Sequence, residues 1–225
     1  MLKFECQGAA IKTVEPEFDT LIVAGWTGRD VKALQHHIEE LAAIGVPRPS
    51  SVPVFYRNSV NGLTQTARLE VLGPDTSGEV EPVIFGLQDG MWLGVGSDHT
   101  DRKAETMGIA LSKQLCGKPV GTTLWRLDEV VGHWEKLLIR AHATIAGQRV
   151  KYQEGALANM RTPADLLSLY DKSTALKPGT VMFCGTVGAI GGIRPATRFD
   201  MEIEDPVLGR KLAHAYDVVA LPVVS

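Results

Sequence analysis

Short segments that are either alternating or wholly apolar, each bounded by turn formers, dominate the chain. "DTLIVAGW", "VPVFYR", "TARLEVL", "EPVIFGL" and "MWLGVGS" all read as strands, by apolar alternation or by β-branched and aromatic content. Gln88-Asp89-Gly90 between the last two is a hairpin signal, and "KLLIRAHATIAGQRVKYQEG" reads as a second hairpin turning at Gly147-Gln148. Helical periodicity is sparse. Val31, Leu34, Ile38 and Leu41 recur at helical spacing and stop at Gly45, ahead of Pro47; further helices are expected over Asp101–Leu115 and Pro163–Tyr170. The run "PRPSSVP" is a proline-rich connector. Many strands, few helices and no regular βαβ alternation predict an α+β fold with a mixed or antiparallel β core. The connector suggests an N-terminal strand-helix segment over 1–53 and a main domain over 54–225.

Composition narrows the function classes. At 225 residues, 44% hydrophobic and 22% charged, the chain can bury the core of an ordinary globular domain. A net charge of −3 with both signs interspersed offers neither a nucleic-acid footprint nor a membrane-surface patch. No apolar run approaches the roughly 18–20 residues a membrane span needs. The start "MLKFECQGAAIKT" lacks a signal pattern. Cys6, Cys116 and Cys184 match neither a disulfide framework nor a C-x-x-C site and read as reduced thiols of a cytoplasmic protein.

The candidate chemistry begins with Glu79-Val80-Glu81. Carboxylates at i and i+2 share one face of a strand, and Asp98 follows Glu81 by seventeen residues. Brought alongside by a hairpin, Asp98 completes an all-oxygen site suited to Mg²⁺, Mn²⁺ or Ca²⁺. Taken alone the pair is weak, since such pairs are more often surface charge on solvated strands. Were the segment after Asp98 helical, Asp98, Arg102 and Glu105 would share a face as a pocket edge or as an N-cap with surface ion pairs. Lys118 is either a substrate contact or a solvated loop lysine.

Together, "EVE", "GSDHTDR", "CGKPVGTT", "KPGTVMFCGTVGAIGG" and "DMEIEDPVLGRKL" resemble, in order and spacing, the fumarylacetoacetate hydrolase superfamily, from about Val54 to Leu212. The resemblance implies a mixed β-sandwich roll carrying a small N-terminal extension. It also implies a metal site of Glu79, Glu81 and Asp98, with Mg²⁺ as the expected ion. Lys118 and Arg102 become polar contacts to substrate, with Glu105 standing where the family has glutamine. Gly185 and Thr186 would present a hydroxyl or N–H to a substrate carboxylate. Ser97 in place of the family's asparagine and Pro82 directly after Glu81 mark a divergent member. Pro82, lacking an N–H, also predicts the edge or end of a strand.

Many members carry a His-x-x-Glu pair on an N-terminal helix. "GRDVKALQHHIEEL" offers His36 with Glu39 and His37 with Glu40, and His99 beside the expected metal aspartate is a further candidate base. Residues three apart share a helical face, so the carboxylate can orient an imidazole that activates water. The implied activity is metal-dependent hydrolysis of a C–C bond in a small oxo-acid, acylpyruvate or 1,3-dicarbonyl in type, through a metal-stabilised enolate. The same site could serve a 2-oxo acid decarboxylase, isomerase or hydratase, and a non-catalytic metabolite-binding relative is the alternative of another class. A homodimer is expected from the resemblance, with neither nucleic acid nor membrane as partner.

Overall fold

The computed structural model describes residues 1–30, 32, 34, 35, 38, 39 and 48–224. In chain order the strands are β1 (Phe4–Gln7), β2 (Ile11–Val14), β3 (Thr20–Gly25), β4 (Val54–Asn58), β5 (Leu63–Thr64), β6 (Arg68–Leu72), β7 (Thr76–Ser77), β8 (Val80–Leu87) and β9 (Gly90–Ser97). They continue as β10 (Thr100–Asp101), β11 (Lys118–Pro119), β12 (Thr123–Arg126), β13 (Leu138–Ile145), β14 (Gln148–Ala156), β15 (Thr180–Phe183), β16 (Arg198–Asp205) and β17 (Arg210–Leu221). Short helices α1 (Arg102–Glu105) and α2 (Ile109–Gln114) follow β10, and α3 (Pro163–Asp171) precedes β15.

An eight-stranded sheet runs in the order β2-β1-β12-β9-β8-β15-β3-β4, and a five-stranded sheet in the order β14-β13-β16-β17-β6. Pairing in the large sheet is mixed: β1 with β12 and β3 with β15 are parallel, the rest antiparallel. Strands from before and after Pro53 share this sheet, with β3 hydrogen-bonded to β4 on one side and β15 on the other. The architecture is α+β, mostly β, as the apolar pattern predicts.

The "EPVIFGL" run is continuously apolar because β8 is covered on both faces. Ile84, with Leu93 and Trp125, packs into a cluster shared with Ile139, Ile203 and Leu212 of the smaller sheet. Val83 and Phe85 point the other way, onto Phe4, Leu21, Leu124 and Phe183. Each such fully buried side chain contributes about 1.5–3 kcal/mol.

One turn and one helix differ from the sequence expectation. The second hairpin turns at Ala146-Gly147, both at positive φ (49° and 77°), rather than one residue later. The helix expected over Asp101–Leu115 is broken in two at Gly108. Asp101, not Asp98, caps α1, its side chain accepting the Ala104 N–H at 2.8 Å. The third helix runs as expected from Pro163 and ends one residue later, at Asp171; Thr162 and Asp165 form its capping box and left-handed Lys172 its end. Among the described residues no helix is long and apolar enough to cross a membrane.

Candidate metal centre and substrate cavity

The β8–β9 hairpin assembles the carboxylates. Its two-residue turn sets Val80 opposite Ser97. One step further along that register Glu79 lies opposite Asp98, and the Asp98 N–H donates to the Glu79 carbonyl at 3.0 Å. Glu81, two residues on, projects from the same face as Glu79. One oxygen from each of Glu79, Glu81 and Asp98 therefore lies within 4.8 Å of the others. Pro82 sits where pairing with β15 ends: Phe183 is opposite Val83, and the Cys184 N–H closes the ladder on the Pro82 carbonyl at 3.0 Å. Pro82 itself lies inside β8, opposite Val95, in a central strand rather than an edge; without an N–H it cannot return the Cys184 bond, and pairing with β15 stops there.

Three cations press against this acidic corner. Arg102 contacts Glu79 at 3.1 Å and Glu105 at 3.0 Å, and its Nε donates to Ser77 Oγ at 2.7 Å. Lys113, from α2, donates to Asp98 Oδ2. Lys118 lies 3.3 Å from Asp98 Oδ1 and donates to the His99 carbonyl at 2.6 Å, the Cys116 carbonyl at 3.1 Å and the Lys113 carbonyl.

Burial, and then the charge of Asp98, push the Glu81 carboxyl well above the ordinary carboxylate range. Burial acts upward on Asp98 too, but Lys113 and Lys118 outweigh it and hold that group below its usual value. Burial tends to strip Lys113 of its proton, yet Asp98, Glu79 and Glu81 raise it above an ordinary lysine. Lys118 is lowered, chiefly by burial.

The donor set fits a hard divalent cation. All three groups are carboxylates, Asp98 Oδ1 meets, among the described residues, only the Lys118 ammonium at 3.3 Å, and ionised Glu81 needs more positive charge than its surroundings supply. Oxygens on opposite sides of Mg²⁺ stand about 4.0–4.2 Å apart and those around Ca²⁺ about 4.6–5.2 Å. Three carboxylate oxygens all within 4.8 Å of one another are close enough to face a single such ion.

Beside the triad opens a cavity of about 680 Å³. Glu79, Glu81, Arg102 and Lys113 line its polar end. Trp26, Leu34, Tyr56, Ile109, Ala189 and Ile193 line the remainder. Trp26 holds a left-handed backbone (φ 59°), strained for a bulky residue and placed at the cavity wall.

A family model described as "Protein of unknown function (DUF2848)" matches residues 24–216. The chain belongs to this family. No curated protein matches it in sequence. Among solved structures, Cg1458 with inhibitor is 16% identical with a TM-score of 0.64, covering 94% of this chain and 81% of that one. The complex of 2-keto-3-deoxy-D-arabinonate dehydratase with magnesium and 2,5-dioxopentanoate is 16% identical, with a TM-score of 0.63 over 96% and 79%. Yeast ynq8, a fumarylacetoacetate hydrolase family protein, is 12% identical, with a TM-score of 0.61 over 92% and 95%. The chain thus has the fumarylacetoacetate hydrolase fold that its ordered motifs resemble.

Within that fold the other expected residues fall unevenly. Arg102 and Glu105 reach the cavity, but as partners of one another. Gly185 and Thr186 also line it. Their donors are already engaged: the Gly185 N–H bonds Glu81 Oε2 at 2.8 Å, and the Thr186 hydroxyl donates to the Val80 carbonyl at 2.6 Å. Lys118 is 1% exposed and is neither a loop lysine nor part of the cavity wall. Glu39 is exposed, accepts from Gln35 Nε2 at 2.8 Å and does not line the cavity. His36, His37 and Glu40 lie outside the described residues. His99 is not available as a base. Its ring nitrogens are bonded to Tyr216 Oη at 2.9 Å and Thr76 Oγ1 at 2.8 Å, and burial, then Lys118 and Arg102, lower its pKa to about 3. Cys184 is a buried thiol held protonated by desolvation.

Two residues of the site have no motif to announce them. Gln153 pins the Thr186–Val187 segment to β8: its amide donates to Thr186 Oγ1 at 2.8 Å and to the Val187 carbonyl at 2.6 Å, and its Oε1 accepts the Val80 N–H at 2.9 Å. Lys113 is the other. Helix α2 turns Ser112 and Lys113 inward and leaves Leu111 outward, flanked by Met107 and Leu115, the reverse of an ordinary amphipathic surface helix.

Proposed function

We propose that the protein is a divalent-metal-dependent enzyme acting on a small 2-oxo acid or 1,3-dicarbonyl, with C–C bond hydrolysis as the reaction. The observation that carries this reading is the largely buried carboxylate triad, one oxygen of each group within 4.8 Å of the others, beside a cavity of substrate size. Glu79, Glu81 and Asp98 would hold the ion. A cation there supplies Lewis acidity to the chelating oxygens of the oxo-acid and favours its enolate form.

The chain's own residues do the remaining work. Arg102, neutralised by Glu79 and Glu105, walls the polar end and keeps Glu79 oriented. Gly185 orients Glu81 through its N–H. The Trp26, Tyr56, Ile109 and Ile193 wall excludes water and fits an apolar substituent on the far side of the reacting bond. The His36–Glu39 or His37–Glu40 pair would activate water, with His37 and Glu40 preferred because Glu39 is exposed and already bonded to Gln35. A homodimer in the cytoplasm belongs to the same proposal.

Dehydration, decarboxylation or isomerisation of a 2-oxo acid is the second reading. It is favoured by the fold shared with a dehydratase crystallised with magnesium and 2,5-dioxopentanoate. Acylpyruvates and 2-oxo acids, assayed with Mg²⁺ or Mn²⁺, separate the two. Acylpyruvate cleavage that disappears in the double variant His36→Ala/His37→Ala supports hydrolysis. Cleavage that persists in it removes the water-activating pair, and turnover of 2-oxo acids alone moves the assignment to the second reading. Failure to bind either metal in calorimetry sinks both and leaves a metabolite-binding protein.

A further inference from the structure

We propose that Lys113, and not Lys118, is the cation that meets the substrate's carboxylate. This rests on the oxo-acid reading above and reverses the assignment that motif spacing alone gives. An ammonium has three N–H donors. Lys118 directs its donors at three backbone carbonyls, those of His99, Lys113 and Cys116. It is 1% exposed and absent from the cavity wall. Turning it to a ligand would strand three buried carbonyls, so its task is to tie the start of β11 to the end of α2 and to the segment after β9.

Lys113 differs on each point. Lys113 lines the cavity, and among the described residues the one hydrogen-bond acceptor of its ammonium is Asp98 Oδ2. Donor capacity therefore remains on the cavity side. The Tyr56 ring lies 5.8 Å from Nζ and flanks the ammonium on a second side, and Tyr56 is itself hydrogen-bonded to Trp26. Lys113 touches the same carboxylate that would bind the ion, so an oxo-acid chelated at the triad brings its carboxylate next to this ammonium. A compact point charge on a flexible stem suits that contact. The other cation on the cavity wall, Arg102, is already committed to Glu79, Glu105 and Ser77.

The arrangement has a second consequence. Lys113 and a divalent ion share Asp98 and repel one another, so an uncharged side chain at position 113 should tighten metal binding while it weakens carboxylate binding. Few structural roles would move those two affinities in opposite directions.

Calorimetric titration of Mn²⁺ into the full chain, followed by titration of oxalate into the Mn²⁺-loaded protein, tests this with wild type, Lys113→Met, Lys113→Arg and Lys118→Met. Oxalate, a chelating dicarboxylate, stands in for the oxo-acid end. Lys113→Met should bind Mn²⁺ at least threefold more tightly and oxalate at least tenfold more weakly, and Lys113→Arg should recover part of the oxalate affinity. Lys118→Met should instead lower the thermal midpoint. Wild-type oxalate affinity in Lys113→Met overturns the proposal, as does a parallel loss of both affinities. Wild-type protein that takes up Mn²⁺ but no oxalate overturns the oxo-acid reading itself, a result distinct from either. Should Lys118→Met fail to fold, the Lys113 variants decide the question alone.

Discussion

The Gly185 N–H donates to Glu81 Oε2 across 2.8 Å, fastening the turn after β15 to a carboxylate of the triad. Only glycine fits there: φ is +94°, and an added Cβ would lie 1.8 Å from Thr27 Oγ1. Gly185→Ala should therefore destabilise the protein by on the order of 2–3 kcal/mol and weaken metal binding, because the clash with Thr27 shifts the turn and moves its N–H off Glu81. Urea unfolding and Mn²⁺ calorimetry measure the two effects. A variant as stable as wild type would mean that the turn adapts and the contact is incidental.

Asp98 is shared by two buried ammonium groups, those of Lys113 and Lys118. Asp98→Asn leaves Lys113 and Lys118 without their common counter-charge and should cost about 3–5 kcal/mol. Glu79→Gln removes a partly exposed partner from Arg102, which keeps Glu105, and should cost about 1 kcal/mol or less. Unfolding in the presence of chelator separates the two variants by stability, and calorimetry should find both defective in metal binding. Equal stability losses would show that Asp98 does not neutralise the lysines.

Much of this site is legible in the sequence because it depends on local rules. The alternation of side chains puts Glu79 and Glu81 on one face, and the Gln88-Asp89-Gly90 signal fixes the register that brings Asp98 to them. Lys113 is illegible for a physical reason. A lysine in a short helix reads as solvated, and only the tertiary packing of α2, with Leu111 outward and Lys113 inward, reverses that. Lys118 misleads for a related reason: spacing carries over its position, while the hydrogen bonds that immobilise it come from carbonyls that no motif encodes. Gln153 and Tyr56 reach the site through strand pairings distant in sequence, which local patterns do not encode.

Metal affinity should rise with pH above the ordinary carboxylate range. The Glu81 carboxyl is raised well above its usual 4.5, so a proton competes with the ion until pH exceeds the folded value. The same shift makes the metal-free protein lose stability as pH climbs from 4.5 through that folded value, because the folded state binds the proton more tightly than the unfolded one. Glu81→Gln should flatten this decline while weakening metal binding. Calorimetry of Mn²⁺ at several pH values, with thermal melts in chelator, checks both signs; a pH-independent affinity would place the ionised form of Glu81 at ordinary cost.

His99 acts with the opposite sign. Its pKa falls from 6.5 to about 3, so between those values the unfolded chain binds a proton that the folded protein excludes. Its contribution is fully present above pH 6.5 and is lost as pH falls toward 3, by on the order of 4–5 kcal/mol across that window. Asp98, held below its ordinary 3.8, loses its own contribution as pH falls from 3.8 through its lower folded value; between 6.5 and 4 His142 and His214, also lowered by burial, add to His99 while Glu81 opposes, so the His99 share is read from the difference between wild type and variant. His99→Gln forfeits bonds to Tyr216 and Thr76 and should be less stable at pH 7, yet its stability should fall less steeply on acidification. Urea unfolding of both proteins in chelator across pH 7 to 4 gives the comparison. Parallel slopes would mean that the imidazole accepts its proton in the folded state, and would reopen His99 as a base.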